Sequence, residues 1–395
     1  METFVTLDLM YNIMDRVNIF KCANYNDENI KEAMDNIIAS FDVLKNIKKG
    51  TKVVIKANLV SAMEPDKAVV THPKLLKYLY DYLISKKAEV VIGDSPSGMF
   101  TEGALSKIYK ATTLDSLNLN LNHNFNKVST SFKDAKVLKT FDYDEFLKDA
   151  DIRINFSKLK THAMMGMSAS VKNLFGCIPG TTKLEYHYRF PNHDDFADML
   201  IDINEYFKMD VNIIDAITAM EGNGPTMGTP KNIGCILAST NPYALDYIAS
   251  KLINIDHNKV NTIKQSIKRN LFNPQSINTN ISYDDLIAKD FELIDNNQSL
   301  VFYSDSNNLF YKAVSKVTIK LFDNKPDVIK PKCIKCGKCM RNCPKKAIIM
   351  EDGYPKIDRS KCIKCYCCQE FCPKGAMIVK TSKIANILNH NKKRK

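Results

Sequence analysis

The chain has 395 residues, 45% of them apolar and 25% charged, which is enough for a sizeable core and for two domains. No apolar run reaches the length of a membrane span, and no basic region precedes an apolar stretch near Met1, so no membrane segment or secretory leader is expected and the expected compartment is the cytoplasm. The net charge of +12 is unevenly spread: residues 331–395 carry 17 Lys+Arg against 4 Asp+Glu, a net of +13, leaving the rest of the chain at −1.

In chain order, residues 16–22 read as a strand. Residues 27–44 read as a helix with Ile30, Met34, Ile37, Ile38 and Phe41 on one face, capped by Asn26 or Asp27. A β-rich run covers 52–59. Thr71 is a candidate cap with Pro73 in the first turn of a helix that places Leu75, Leu76, Leu79, Tyr82 and Leu83 on one broad face. A short apolar strand over 88–92 ends at Gly93-Asp94. Strands recur at 150–156, 211–217 and 233–238, with helices over 192–207 and 242–253. Residues 257–325 are expected to hold helices and a small strand pair, 324–327 a linker, and 383–395 a frayed basic end. Apolar strands alternating with helices predict an α/β fold, a large, mainly parallel-sheet domain with covering helices. Its expected extent is 1–325 with a core at about 16–255, followed by a small α+β ferredoxin-like module at 326–380 and a basic tail at 381–395.

Nine of the twelve cysteines lie between Cys333 and Cys372. Cys333, Cys336, Cys339, Cys343 and Pro344 fit the phrase C-x2-C-x2-C-x3-C-P, and Cys362, Cys365, Cys368, Cys372 and Pro373 repeat it 29 residues later. Three thiolates at this spacing wrap three irons of a cubane, and the fourth crosses to the neighbouring cluster. Two [4Fe-4S] clusters are therefore expected: one on Cys333, Cys336, Cys339 and Cys372, the other on Cys362, Cys365, Cys368 and Cys343. Zinc also uses paired C-x2-C groups but does not require the whole phrase twice. Cys367 is extra, a bystander thiol beside the second cluster. Each cluster with four thiolates carries about −2, so the loaded module remains basic, at roughly +9, and suits an acidic redox partner protein. A solvated basic face is the plainer reading of the same charge.

Several phrases in the large domain are unusual for mere structure: Lys56-Ala-Asn58, Thr71-His72-Pro73, Gly93-Asp94-Ser95-Pro96, Lys158-Leu-Lys160-Thr161-His162, Val171-Lys172-Asn173-Leu174-Phe175-Gly176, Glu185-Tyr-His187 and Glu221-Gly222-Asn223-Gly224-Pro225. As a set they resemble the bacterial and archaeal family carrying the domain of unknown function 362, often joined to a ferredoxin module. The resemblance runs from about residue 16 to 255, and with the ferredoxin part to about 380. The first phrase departs from the family, which usually has proline between the lysine and the asparagine. The resemblance implies an α/β domain associated with iron–sulfur proteins and supplies no substrate.

Chemistry must then come from the residues. Four of the phrases are expected to follow strands, where ligands gather in open α/β sheets. Converging there, Lys56, Lys158, Lys160 and Lys172 would hold a small anion, with Asn58, Asp94, Asn173 and Glu221 as further ligand-binding candidates. His72, His162 and His187 are candidate proton carriers for catalysis. Against this, single lysines are usually surface solvation. His187 and His193, with Glu185, Asp194 and Asp195, match no standard metal spacing and read as structural. Met164, Met165 and Met167, and Cys22, Cys177 and Cys235, read as core.

The leading expectation is an electron-transfer protein whose clusters relay electrons to or from an α/β domain with an anionic-ligand site, with oxidoreductase activity left open. The alternatives are a binding or maturation module with a redox-sensing ferredoxin domain, and an enzyme with structural clusters. The basic tail is short and lacks interleaved aromatics, so no specific nucleic-acid recognition is expected.

Overall fold

A computed structural model of the chain describes residues 14–294 and 324–380. The N-terminal helix and strand signals resolve as β1 (Arg16–Lys21), α1 (Asp27–Ser40), β2 (Lys52–Lys56), α2 (Pro73–Ser85) and β3 (Glu89–Gly93). Asn26 caps α1, its side chain accepting from Asn29 N. The cap of α2 is His72, not Thr71: His72 Nδ1 accepts from Lys74 N. Thr71 is used elsewhere, its hydroxyl accepting from Asn58 N and donating to Phe156 O, which pins the segment after β2 to the sheet.

Beyond an antiparallel ribbon of β4 (Lys127–Ser131) and β5 (Thr140–Asp144), the sheet resumes with β6 (Ile152–His162), joined by the short β7 (Gly166–Ser168). The helices α3 (Ser170–Asn173), α4 (Thr182–Arg189) and α5 (His193–Phe207) follow, then β8 (Val211–Glu221), β9 (Thr229–Ser239) and α6 (Pro242–Leu252). Strand order is β10-β1-β9-β8-β6-β2-β3, where β10 is Asn278–Thr279. The four strands β8, β6, β2 and β3 run parallel, while β9 is antiparallel to both β8 and β1. The fold is thus α/β, with a large, mainly parallel mixed sheet. Two apolar cores lie on its two faces, one under α1 and α2, the other under α5 and α6. Met164, Met165, Met167, Cys22, Cys177 and Cys235 are all buried.

Two differences from expectation matter for the site. First, β6 runs to His162, so Lys158, Lys160 and His162 lie inside the strand rather than beyond it. The polar phrase hid the strand because its lysines are matched by buried partners instead of solvent. Second, residues 324–327 are not a linker. Lys325–Val328 forms β11, antiparallel to β14 (Met377–Lys380). These strands and the hairpin β12 (Ile348–Glu351)–β13 (Tyr354–Ile357) frame the small C-terminal module. The expected strand pair in 257–325 reduces to the two residues of β10 beside β1 among the described residues, and the frayed end lies outside them. Among the described residues, no helix is long and apolar enough to cross a membrane.

Candidate functional site

The carboxyl ends of β2 and β3 and the last turn of β6 open onto one cavity of about 60 Å³. Allowing roughly 10–15 Å³ per water, this holds a few waters or one small ligand. Asn58, Asp94, Lys160, Lys172, Asn173 and His187 all line it. Lys183, Phe175 and Ser168 complete the large-domain wall.

The cations differ in how they are held. Lys56 is fully buried and pairs with Asp94 at 2.7 Å, also donating to Ala57 O and Asn173 O. Gly176 is required here, since a Cβ would overlap the Asp94 carboxylate. Lys158 pairs with Asp215 at 2.8 Å and donates to Tyr25 Oη at 2.7 Å, in a separate network. Neither Lys56 nor Lys158 lines the cavity; both are spent on internal ion pairs. Lys160 donates to Asn58 Oδ1 and Val69 O, leaving one N–H. Burial, with Lys172 nearby, pulls its ammonium down to about 7. Lys183 donates to three carbonyls, of Ser95, Pro96 and Ile178, and burial lowers it to about 8. Lys172 has no hydrogen bond or ion pair among the described residues; its ammonium lies 5.9 Å from the centre of the Phe175 ring. It is the free cation of the cavity.

The histidines also separate. His187 is 5% exposed, stacks on Phe196 at 4.5 Å and lines the cavity; its Nδ1 has no hydrogen-bond partner. Burial lowers its pKa to about 3, so it is neutral. His72 stacks on Tyr25 at 3.7 Å beside an open groove and does not line the cavity. His162 is fully buried, with Nδ1 accepting from Met164 N and Met165 N. Its proton therefore sits on Nε2, 2.9 Å from Glu370 Oε1. Glu221 accepts from Glu292 N and takes no part in the cavity. Asp194 is tied to Lys264 and Asn261, in keeping with the structural reading of that cluster.

The remaining wall comes from the C-terminal module. Cys367, Glu370 and Phe371 close the cavity. The module is fixed there by Gln369, which donates to Gly224 O and Asn223, and by Thr226, which donates to Glu370 O. Gly224 permits the close approach of its own loop to Thr161. Tyr366 and Cys367 join the same apolar core as Phe175 and Leu237. Neither Glu370 nor Lys183 is legible in the sequence alone: Glu370 is one of three residues between Cys368 and Cys372, and Lys183 lies outside every phrase singled out.

The module holds two smaller cavities. One is lined by Cys333, Cys336, Cys339 and Cys372, the other by Cys343, Cys362, Cys365 and Cys368. Each cage takes three cysteines from one run and the fourth from the other. Ala347 N and Ala376 N point at Cys343 Sγ and Cys372 Sγ, each at 3.2 Å. Such donors suit thiolates carrying charge to a metal. Ile348 and Met377 pack with Cys339 and Cys368 in a small apolar core between the cages. The donor set, all sulfur in apolar walls, fits [4Fe-4S] clusters. Cys367 belongs to neither cage.

Comparison with known proteins agrees with this division. Residues 53–251 match the family model described as "Domain of unknown function (DUF362)", and residues 322–390 match that of a 4Fe-4S dicluster domain. The C-terminal module is accordingly a 4Fe-4S ferredoxin-like domain, of the kind used in iron–sulfur electron transfer. The chain is 27% identical over 246 residues to the "thylakoid-associated protein sll1697" of Synechocystis sp., a match covering 61% of this chain and 75% of that one. Among solved structures, a protein of Thermotoga maritima is 15% identical with a TM-score of 0.34, covering 54% of this chain and 55% of that one. The lactate racemase apoprotein of Thermoanaerobacterium thermosaccharolyticum is 11% identical with a TM-score of 0.40, covering 63% and 58%. The chain spans less than two thirds of either solved structure.

Proposed function

The chain belongs to the family of the domain of unknown function DUF362, and from that premise we propose that it is an electron-transfer protein whose ferredoxin-like module serves a small anionic ligand held in the large domain. The module would carry two [4Fe-4S] clusters, one on Cys333, Cys336, Cys339 and Cys372, the other on Cys362, Cys365, Cys368 and Cys343. Such a cluster accepts and donates one electron at a time.

The supporting observation is the shared wall. Between Cys365 and Phe371 the chain alternates: Cys365, Tyr366 and Cys368 face the second cage, while Cys367, Glu370 and Phe371 face the anion cavity. A maturation or sensing module would not need its cysteine loop to form the lining of a partner domain's ligand cavity. Lys172 supplies positive charge bound in no ion pair, Lys160 one further N–H, and neutral His187 a lone pair or proton at Nδ1. Phe175 and Phe371 keep the cavity partly dry, which strengthens each of these interactions.

The test is anaerobic purification with iron and sulfide counts, then EPR of the reduced protein with and without phosphate, sulfate or small carboxylates. About eight irons per chain is expected. A ligand-dependent change in the signal of one cluster supports the relay. Ligand binding with no spectral change favours structural clusters, and zinc in place of iron overturns the reading.

A further inference from the structure

The two cages are not equivalent in their surroundings. The second is packed against the large domain: Cys365 and Cys368 are buried, and Tyr366 and Cys367 belong to the large-domain core. The first cage has no such cover. Only Cys339 of its four cysteines is buried, against two of four in the second cage, and the segment beside them presents Ile334 at 55% exposure and Met340 at 36%. These are two of the few large apolar side chains exposed among the described residues.

Around them stand cations. Lys338 and Lys374 line the first cage. Lys335 and Lys330 lie over the Tyr354 ring at 4.6 and 5.2 Å, next to Pro355 of the cage wall. Arg341 reaches back to Cys336 O at 2.8 Å. No carboxylate lines this cage; the nearby hairpin carries Glu351, paired with Lys356, and one exposed acid, Asp352, at its turn. An apolar centre with a mainly basic rim is the form of a transient, electrostatically steered interface.

We infer that the surface formed by Ile334 and Met340 with Lys335, Lys338, Arg341 and Lys374 is the docking site for a small acidic electron-carrier protein, and that the chain exchanges electrons with its partner at this end. The inference rests on the electron-transfer reading of the module, not on the identity of the cavity ligand. Charge complementarity selects the occupant: the module keeps a net positive charge even after two dianionic clusters are counted, and the large domain is near neutral. A second copy of this chain would bring like charge to the same face.

The experiment uses the loaded, full-length protein and an oxidised acidic two-cluster ferredoxin as probe, with Kd measured by calorimetry. Lys335→Glu with Lys338→Glu should weaken binding at least about tenfold at low salt, and raising salt from about 20 to 200 mM should weaken the unaltered protein comparably. Ile334→Ser should weaken it at unchanged salt dependence. The charge-matched control Lys31→Glu with Lys45→Glu, on the exposed large domain, should leave Kd unchanged. Iron content of each variant is checked first, and reduction by methyl viologen radical should proceed equally in all. Equal loss in the control pair, salt-independent binding, or a dimer of the chain dissolved by the same substitutions overturns the assignment. Cavity anions should not alter this Kd; if they fail to bind at all while the Kd pattern holds, only the cavity reading falls.

Discussion

His162 Nε2 and Glu370 Oε1 meet at 2.9 Å across the boundary between the sheet domain and the cysteine module. His162 is fully buried and the Glu370 side chain is 10% exposed; two backbone N–H groups at Nδ1 leave the imidazole proton on Nε2, beside the carboxylate. Burial alone would raise the Glu370 pKa, but the adjacent His162 Nε2 and the Lys172 cation draw it down to about 2. The carboxylate is thus the counter-charge to a cavity that otherwise holds an unpaired lysine.

Removing that carboxylate should loosen the junction. Glu370→Ala is expected to lose about 1–3 kcal/mol, the range for leaving a buried polar group such as His162 Nε2 without its neighbour, and to increase hydrogen exchange along β6 near His162. Glu370→Gln keeps an acceptor oxygen and should lose less. Anaerobic urea unfolding of the loaded protein measures both; equal stability of all three forms would show that the contact carries no energy.

Lys172→Met separates binding from folding. A cation without a partner, removed from bulk water, is held at the expense of stability. Its replacement by an apolar chain of similar length should leave unfolding free energy unchanged or raise it by about 1 kcal/mol. Anion affinity, titrated with phosphate and small carboxylates, should fall tenfold or more. A variant that loses stability and keeps affinity would make Lys172 structural.

Lys160 gives a pH signature with two opposite signs. Its folded value of about 7 lies below the ordinary 10.5. The unfolded chain therefore binds more protons between these values, so the cost of its burial is full below pH 7 and is relieved as pH rises to 10.5. Stability from this group should rise across that window. Anion binding should do the reverse, weakening as pH climbs above 7, with proton uptake on binding near and above that pH. Calorimetry in buffers of different ionisation enthalpy reads the uptake, and Lys160→Met should abolish it.

The sequence was most informative where spacing carries chemistry. The repeated cysteine phrase marked the two groups of four cysteines that each line one cavity, with the fourth taken from the other run. Continuous apolar runs marked β2 and β3, and Asn58, Asp94, Lys160, Lys172, Asn173 and His187 do share one cavity. Lys56 and Lys158 misled because a lysine phrase shows charge but not its partner: Asp94 and Asp215 lie 38 and 57 residues away. Glu370 and Phe371 were illegible for a related reason. Their role exists only because Gln369 and Thr226 dock the module on the sheet, and no local pattern encodes a contact between residues about 145 apart.

The cages make a prediction that substitution in pairs can decide. Cys333 and Cys372 line the same cavity although they belong to different runs, while Cys333 and Cys343 share a run and line different cavities. If the cages bind clusters as units, Cys333→Ala and Cys372→Ala each remove the same cluster, and the double variant loses no more iron than either alone. Iron should fall from about eight to about four in all three. Cys333→Ala with Cys343→Ala should instead remove both clusters. EPR distinguishes the survivor: the cluster left in Cys372→Ala should match that left in Cys333→Ala and differ from that left in Cys343→Ala. Pairing by run instead of by cage would reverse these outcomes, because the fourth cysteine would then serve its own loop and the crossing geometry would have no chemical meaning.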